Sequence, residues 1–328
     1  HEDENVSKAV HTAMTLAIAA GVIMTAMGLI LAPTLLRWMD TPRETLADST
    51  AYLRIVFLSM VPSMLYNVGS GILRAIGDSR RPLYFLIVCC LVNVALDLTF
   101  VLGFRMGVRG VAVATAIAQC VSAVLVCLSL GRAEGSYRLE PRKLRADGAL
   151  LGRTMRVGLP SGLQSVMYSL SNMIITATIN SFGTATVAAW VTLGKVDGMF
   201  WMINNAFGVS IVTFVGQNYG ARQYDRVRKG LKVCTALALG AAWLFSGAFL
   251  LTGQYVFRIF THEQDVLEMA LKMMVWMAPW YWLFVPIEMI SGTLRGMGDT
   301  LKPALITAAG ICALRVVWMF LLVPRWHE

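Results

Sequence analysis

Asn93 and Asp97 stand four residues apart inside Pro82–Phe104, a segment otherwise almost wholly apolar. On a helix that spacing puts both side chains on one face. A carboxylate at the centre of a bilayer costs about 2.5–3.5 kcal/mol or more, so an acid kept there is a functional candidate by default. A carboxyl removed from water can hold a proton near neutral pH, and reversible protonation is the chemistry such a residue offers. The competing reading is that Asp97 pairs with a basic residue near the end of its span, such as Arg105.

Glu288 is the other carboxylate near the middle of an apolar segment, Ala270–Thr293. Pro286, two residues before it, would free a backbone carbonyl nearby. Glu288 could be a protonation or substrate site, or pair with Lys272 or Arg315. Chemistry of the enzymatic kind is not indicated, because no nucleophile–base arrangement, metal cluster or phosphate loop stands in the sequence. His1, His11, His262 and His327 are scattered near the ends of apolar segments. All six cysteines (Cys89, Cys90, Cys120, Cys127, Cys234 and Cys312) fall inside those segments without metal-ligand spacing, and read as small hydrophobes.

The elements that must hold these residues follow from composition. Of 328 residues, 57% are apolar and only 14% charged, against roughly 25% charged in a soluble chain. The apolar residues form nine blocks: Val10–Leu36, Ala51–Leu73, Pro82–Phe104, Val108–Leu130, Val157–Ile179, Val187–Val215, Leu231–Phe257, Ala270–Thr293 and Pro303–Val323. Each is long enough to cross ~30 Å of hydrocarbon as a helix. Backbone groups in lipid must be bonded internally, and the blocks lack the alternating polarity of barrel strands. The chain therefore reads as an all-α polytopic membrane protein with about nine transmembrane helices.

Charge orients those helices. With residues 1–9 on the cytoplasmic side, the connections on that side hold 18 of the 28 Lys and Arg residues, seven of them between Arg132 and Arg156. The opposite connections hold six: Arg37, Arg43, Arg105, Arg109, Arg258 and Arg325. This bias is a positive-inside signal. The net charge of +9 is then an orientation device and a contact with anionic membrane lipids, not a nucleic-acid patch.

The chain also resembles itself at an offset of 221 residues, where Leu73-Arg74-Ala-Ile-Gly77-Asp78 followed by Pro82 aligns with Leu294-Arg295-Gly-Met-Gly298-Asp299 followed by Pro303. The chemistry is that of a tight turn between spans: Gly permits a positive φ, Asp caps the next helix and Pro suits its first turn. Arg74 and Arg295 are expected to snorkel to the interface. The two copies begin in the same orientation, which makes this a parallel repeat of the kind found in transporters. Residues 1–130 are expected to form one bundle, 131–156 a basic cytoplasmic linker, and 157–328 a second bundle. Matching residues 1–103 to 222–324 leads to the expectation that two spans before His1 and one after Glu328 belong to the intact protein.

Several motifs resemble the multidrug and toxic compound extrusion (MATE) family. They are Tyr66-Asn67-Val-Gly-Ser-Gly-Ile-Leu73-Arg74-Ala-Ile-Gly77-Asp78, Asn93-Val-Ala-Leu-Asp97, Gly107-Val-Arg-Gly110-Val-Ala-Val-Ala-Thr115, Gly158-Leu-Pro160, Asn180-Ser-Phe-Gly183-Thr and Gln217-Asn218-Tyr-Gly220-Ala221. The resemblance runs the length of the chain, from the third family helix to the eleventh. It implies a twelve-helix antiporter of two six-helix bundles around a cleft that opens alternately to each side. Entry of Na⁺ or H⁺ then drives export of organic, often cationic, small molecules, with no other cofactor. The family's N-lobe cation site maps onto Asn93, Asp97 and Thr115, and its fourth ligand falls outside this chain. A C-lobe cation site in one family branch uses a carboxylate on the seventh helix. Here that helix offers Gln164, Tyr168, Ser171 and Asn172, and no acid.

Other polar residues then become cleft candidates. The 221 offset places Asn67 opposite Glu288. Lys195 and Asp197, flanked by Gly194 and Gly198, are spaced i, i+2 and so point apart on a regular helix. Each needs a separate partner or a local break, whether it serves the cleft or anchors the outer interface. Trp276, Trp280, Tyr281 and Trp282 could offer π-faces to cationic compounds, or form an interface belt. A flippase for lipid-linked oligosaccharides is the alternative function. Such a protein tends to carry a strongly cationic cleft, and intramembrane bases are few here. A monomer in the plasma (bacterial inner) membrane completes the expectation.

Overall fold

The computed structural model describes residues 2–38 and 42–321; Arg325, His1, His327 and the expected end of the last span at Val323 lie outside the described residues. Twelve α-helical segments follow one another, with no strand among the described residues: α1 Glu2–Trp38, α2 Arg43–Leu58, α3 Met60–Ala75, α4 Arg80–Leu98, α5 Gly107–Gly131, α6 Gly148–Asn180, α7 Thr184–Gly220, α8 Tyr224–Arg258, α9 Gln264–Met277, α10 Phe284–Gly296, α11 Leu301–Thr307 and α12 Leu314–Leu321. Short irregular turns, not loops, join several of them into longer rods. Among the described residues, seven rods are long and apolar enough to cross a membrane, including Arg43–Ala75, which continues through Ser59, and Gln264–Gly296. The two expected spans outside that set have simple explanations. Helix α6 is diluted by its Gln, Ser, Tyr and Asn residues, and the last expected span, Pro303–Val323, runs past the described residues.

The outward surface is apolar. Ile30, Leu244 and Leu251 are 72%, 76% and 82% exposed, a surface that would aggregate in water and is ordinary against lipid. Cys90 and Cys120 are exposed as well, so these two cysteines sit on the outside of the bundle instead of in its core.

The chain divides into two compact units, His1–Thr154 and Met155–Glu328. In the first, α1 packs on α2 and α3, and α5 on α2, α3 and α4. Small residues permit the close approaches that membrane helices rely on: a Cβ on Gly21 would sit 2.8 Å from the Val61 backbone, and one on Gly69 2.8 Å from Val126. Part of the 131–156 segment packs onto this unit. Leu139 joins Val10, Met14, Leu73, Val126 and Leu130 in a buried cluster, with Tyr137 and Leu144 packed beside it. In the second unit α7 is central, packing on α8, α9 and α10.

The repeated turn has the expected construction in both copies. Gly77 and Gly298 take φ of 94° and 88°. Asp78 N–H donates to Leu73 O at 2.9 Å, and Asp299 N–H donates to Leu294 O at 2.9 Å. Asp78 Oδ1 accepts from the Arg80 and Arg81 N–H groups at 3.1 Å, and Asp299 Oδ1 accepts from Lys302 N–H at 3.3 Å. These satisfy first-turn donors of α4 and α11.

Candidate functional site

Helices α4 and α5 build the first candidate site along an antiparallel seam. The Cys89 thiol donates to Ala118 O at 3.2 Å, and Asn93 Nδ2 donates to Thr115 Oγ1 at 3.4 Å. One turn on from Asn93, Asp97 Oδ1 is buried without a hydrogen-bond partner. Nor does Asp97 form an ion pair among the described residues; Arg105, the alternative partner, sits in the following turn with φ of 53°. The helix widens directly after the acid: Thr99–Gly103 is π-helical, with Phe104 N–H reaching back to Thr99 O at 3.0 Å. Such turns insert one extra residue and concentrate at functional sites. Around Asp97 and Asn93 the polar groups are a carboxylate, an amide and a hydroxyl, a set suited to a proton or a hard cation.

Asn67, the repeat counterpart of Glu288, is not part of this seam. It is exposed, and its Nδ2 donates to Ser63 O at 2.9 Å within its own helix.

In the second unit, Glu288 pairs with Arg295, two turns along α10 on the same face. This corrects both sequence expectations for the pair. Lys272 and Arg315 are not its partners, and Arg295 turns inward instead of snorkelling outward, leaving its Nε buried and without a hydrogen-bond partner. Gly208 of α7 makes the room. A Cβ there would lie 2.5 Å from Glu288 Oε1 and about 3 Å from its Cγ and Cδ. The signal was present in the sequence, since positions i and i+7 share a helix face.

The polar stripe of α6 has structural partners. Gln164, buried, donates from Nε2 to Thr307 Oγ1 at 2.9 Å, and Arg315 Nη1 donates to Asn172 Oδ1 at 3.2 Å. Both bonds advance eight residues along each helix, so α6 and the α11–α12 rod run in the same direction. Ser171 is buried on this stripe and Tyr168 half-buried.

Lys195 and Asp197 do point apart, on a continuous helix with no break between them. Lys195 Nζ lies over the Phe260 ring, 4.7 Å from its centroid. Asp197 Oδ2 accepts from the Trp201 indole N–H at 2.9 Å. Of the aromatic run, Trp276 and Trp280 are exposed on the outside while Tyr281 is 2% exposed.

His11, which no motif marks, is 2% exposed. Its Nδ1 bonds Ser7 O at 2.7 Å and its Nε2 accepts from the Glu140 N–H at 3.1 Å. Next to it Thr12 Oγ1 accepts from the Asp147 N–H at 3.1 Å. With both nitrogens occupied this way, the ring is neutral and protonated at Nδ1. These two bonds fasten the 131–147 segment to α1. Beside them the Lys143 ammonium, hydrogen-bonded at 2.9 Å, holds the Glu140 carboxyl below the usual carboxylate range.

A family model described as MatE matches residues 1–99 and 160–321. The probable multidrug resistance protein YoeA of Bacillus subtilis is 28% identical, over 98% of this chain and 71% of that protein. YpnP of the same organism, also named a probable multidrug resistance protein, is 25% identical over 88% of this chain and 65% of its own length. Among solved structures, an outward-facing MATE-family multidrug resistance transporter of the MOP superfamily superposes with a TM-score of 0.87 at 21% identity, covering 94% of this chain and 69% of that one. A MOP-superfamily transporter from Pyrococcus furiosus gives 0.87 at 18% identity, covering 97% and 77%. At these identities the structures speak for the fold. The chain spans between 65% and 77% of the lengths of these four proteins.

Proposed function

Because this chain belongs to the MatE family, we propose that it is the helical machinery of a secondary antiporter that exports organic, often cationic, small molecules in exchange for Na⁺ or H⁺. The observation that carries the reading is Asp97, whose Oδ1 is buried and unpartnered one turn beyond the Asn93–Thr115 contact. An ionised carboxylate left so is costly, and a bound proton or cation removes the cost. Asn93 and Thr115, in contact one turn away, would offer neutral oxygens to such a ligand, and the widened turn at Thr99–Gly103 gives the helix a place to change conformation. Loading from the outer side and release to the cytoplasm would then bias two states of the first unit, which is what alternating access needs. Relatives named as multidrug resistance and multidrug export proteins support the substrate class.

The same reading puts the protein in the plasma (bacterial inner) membrane as a monomer, with residues 1–9 and 131–156 in the cytoplasm. The test is efflux of a cationic dye such as ethidium from cells producing the protein, under an imposed Na⁺ or pH gradient. Asp97→Asn keeps the shape and removes the charge, so gradient-driven efflux should be lost. Full gradient-driven efflux by that variant would overturn the site.

A further inference from the structure

A second buried carboxylate oxygen lacks a partner in this chain, and it lies in the other unit. Asp197 sits in α7, which packs against α8, α9 and α10. Its Oδ2 accepts from the Trp201 indole N–H at 2.9 Å, while Oδ1 is buried and completes no hydrogen bond. Beside it is the Tyr281 hydroxyl, which interacts with the carboxylate but falls outside hydrogen-bond geometry, so that it too is buried and unpartnered. Tyr281 has no freedom to turn away: its ring stacks on Phe200 at 4.3 Å and 11°, and Phe200 is itself 1% exposed. A carboxylate and a phenol thus face each other in an apolar setting, each with unused hydrogen-bonding capacity.

We infer that Asp197 is a second proton-binding carboxyl, whose two protonation states are distinguished by Tyr281 and Trp201. When a proton from water adds to Oδ1, the side chain goes from charge −1 to neutral and gains an O–H that donates to the Tyr281 oxygen. When the proton leaves, the carboxylate can only accept, from Tyr281 and from Trp201. The ligand is a proton and not a metal cation: the two described side chains that meet here bring three oxygens, one of them already bonded to Trp201, whereas hard cations take about six. A proton also needs no cavity. Neighbouring charges do not preempt the role. Lys195 on the same helix lies over Phe260, Glu288 and Arg295 of α10 pair with each other, and Arg258 of α8 and Asp265, Glu268 and Lys272 of α9 form no ion pair with Asp197 among the described residues.

The inference deepens the antiport reading, since a second carboxyl would carry a second proton per cycle. Its test does not need transport. Trp201 reports on Asp197 through their hydrogen bond, so tryptophan emission of the purified protein in detergent is titrated between about pH 4 and 9. One titrating component should vanish in Trp201→Phe and in Asp197→Asn, and its midpoint should be displaced in Tyr281→Phe. Survival of that component in Asp197→Asn, or no component removed by Trp201→Phe, would overturn the inference. Should Asp197→Asn fail to fold, the Tyr281→Phe displacement decides, and an unmoved midpoint counts against the site. Failure of the antiport reading would instead leave this titration intact while dye efflux showed no dependence on Asp97.

Discussion

The Glu288–Arg295 pair gives a prediction whose size follows from its burial. The two side chains are 28% and 27% exposed, between an open surface and a closed interior. A surface pair contributes about 0–1 kcal/mol, and removing one member of a fully buried pair costs about 3–5 kcal/mol. At this exposure, losing one partner should cost about 2 kcal/mol, nearer the buried limit for Glu288→Ala because Arg295 Nε is already without an acceptor. At about 2–4 °C per kcal/mol, thermal unfolding of the purified protein in detergent should fall by about 4–8 °C. Replacing both residues, as in Glu288→Met with Arg295→Met, removes the stranded charge along with its partner. The double variant should therefore melt closer to wild type than either single one. Additive losses would refute the reasoning, because they would mean that the two side chains act independently.

Other outcomes follow from the same geometry. Gly296→Ala places a Cβ 2.8 Å from the Val212 carbonyl and 2.9 Å from Val215 Cβ; backbone cannot yield as a side chain can, so α10 must move off α7 and stability should drop by about 1–3 kcal/mol, read as a lower melting temperature. His11→Phe keeps the ring but strands the Glu140 N–H, at a cost of about 1–3 kcal/mol, and limited proteolysis between residues 131 and 147 should accelerate. The Asp299 carboxyl is held below the usual carboxylate range by its hydrogen bond to the Lys302 ammonium. Its contribution is therefore complete above the ordinary carboxylate range and lost as pH falls through the lowered value. The melting difference between wild type and Asp299→Asn should be constant near neutrality and shrink only in acid.

The turns were legible because their chemistry is local: Gly77, Asp78 and Pro82 each act within one helix end, and the offset copy at Gly298, Asp299 and Pro303 repeats the construction. Spans were legible from length, except where polar residues dilute α6. The Asn93–Thr115 contact depends on which helices are neighbours, which periodicity alone does not give; the family resemblance supplied it. Glu288 was visible, but nothing in the sequence set Arg295, two turns ahead on the same helix, above Lys272 or Arg315 as its partner. The anchoring of the 131–147 segment was hidden, because a lone histidine in α1 says nothing about a loop some 129 residues away. Trp201 and Tyr281 meet Asp197 for opposite reasons, one a same-helix neighbour at i+4 and the other brought in by packing.

The most direct test of cation-coupled exchange runs the cycle backwards. The protein is reconstituted in vesicles with no initial Na⁺ or pH gradient, an outward gradient of a cationic dye is imposed, and internal Na⁺ and pH are recorded with entrapped indicators. Coupled exchange predicts that dye efflux drives the coupling ion inward against no gradient of its own, in wild type and not in Asp97→Asn. Dye that leaves with neither Na⁺ nor H⁺ entering, or an ion flux that Asp97→Asn leaves unchanged, would contradict the account.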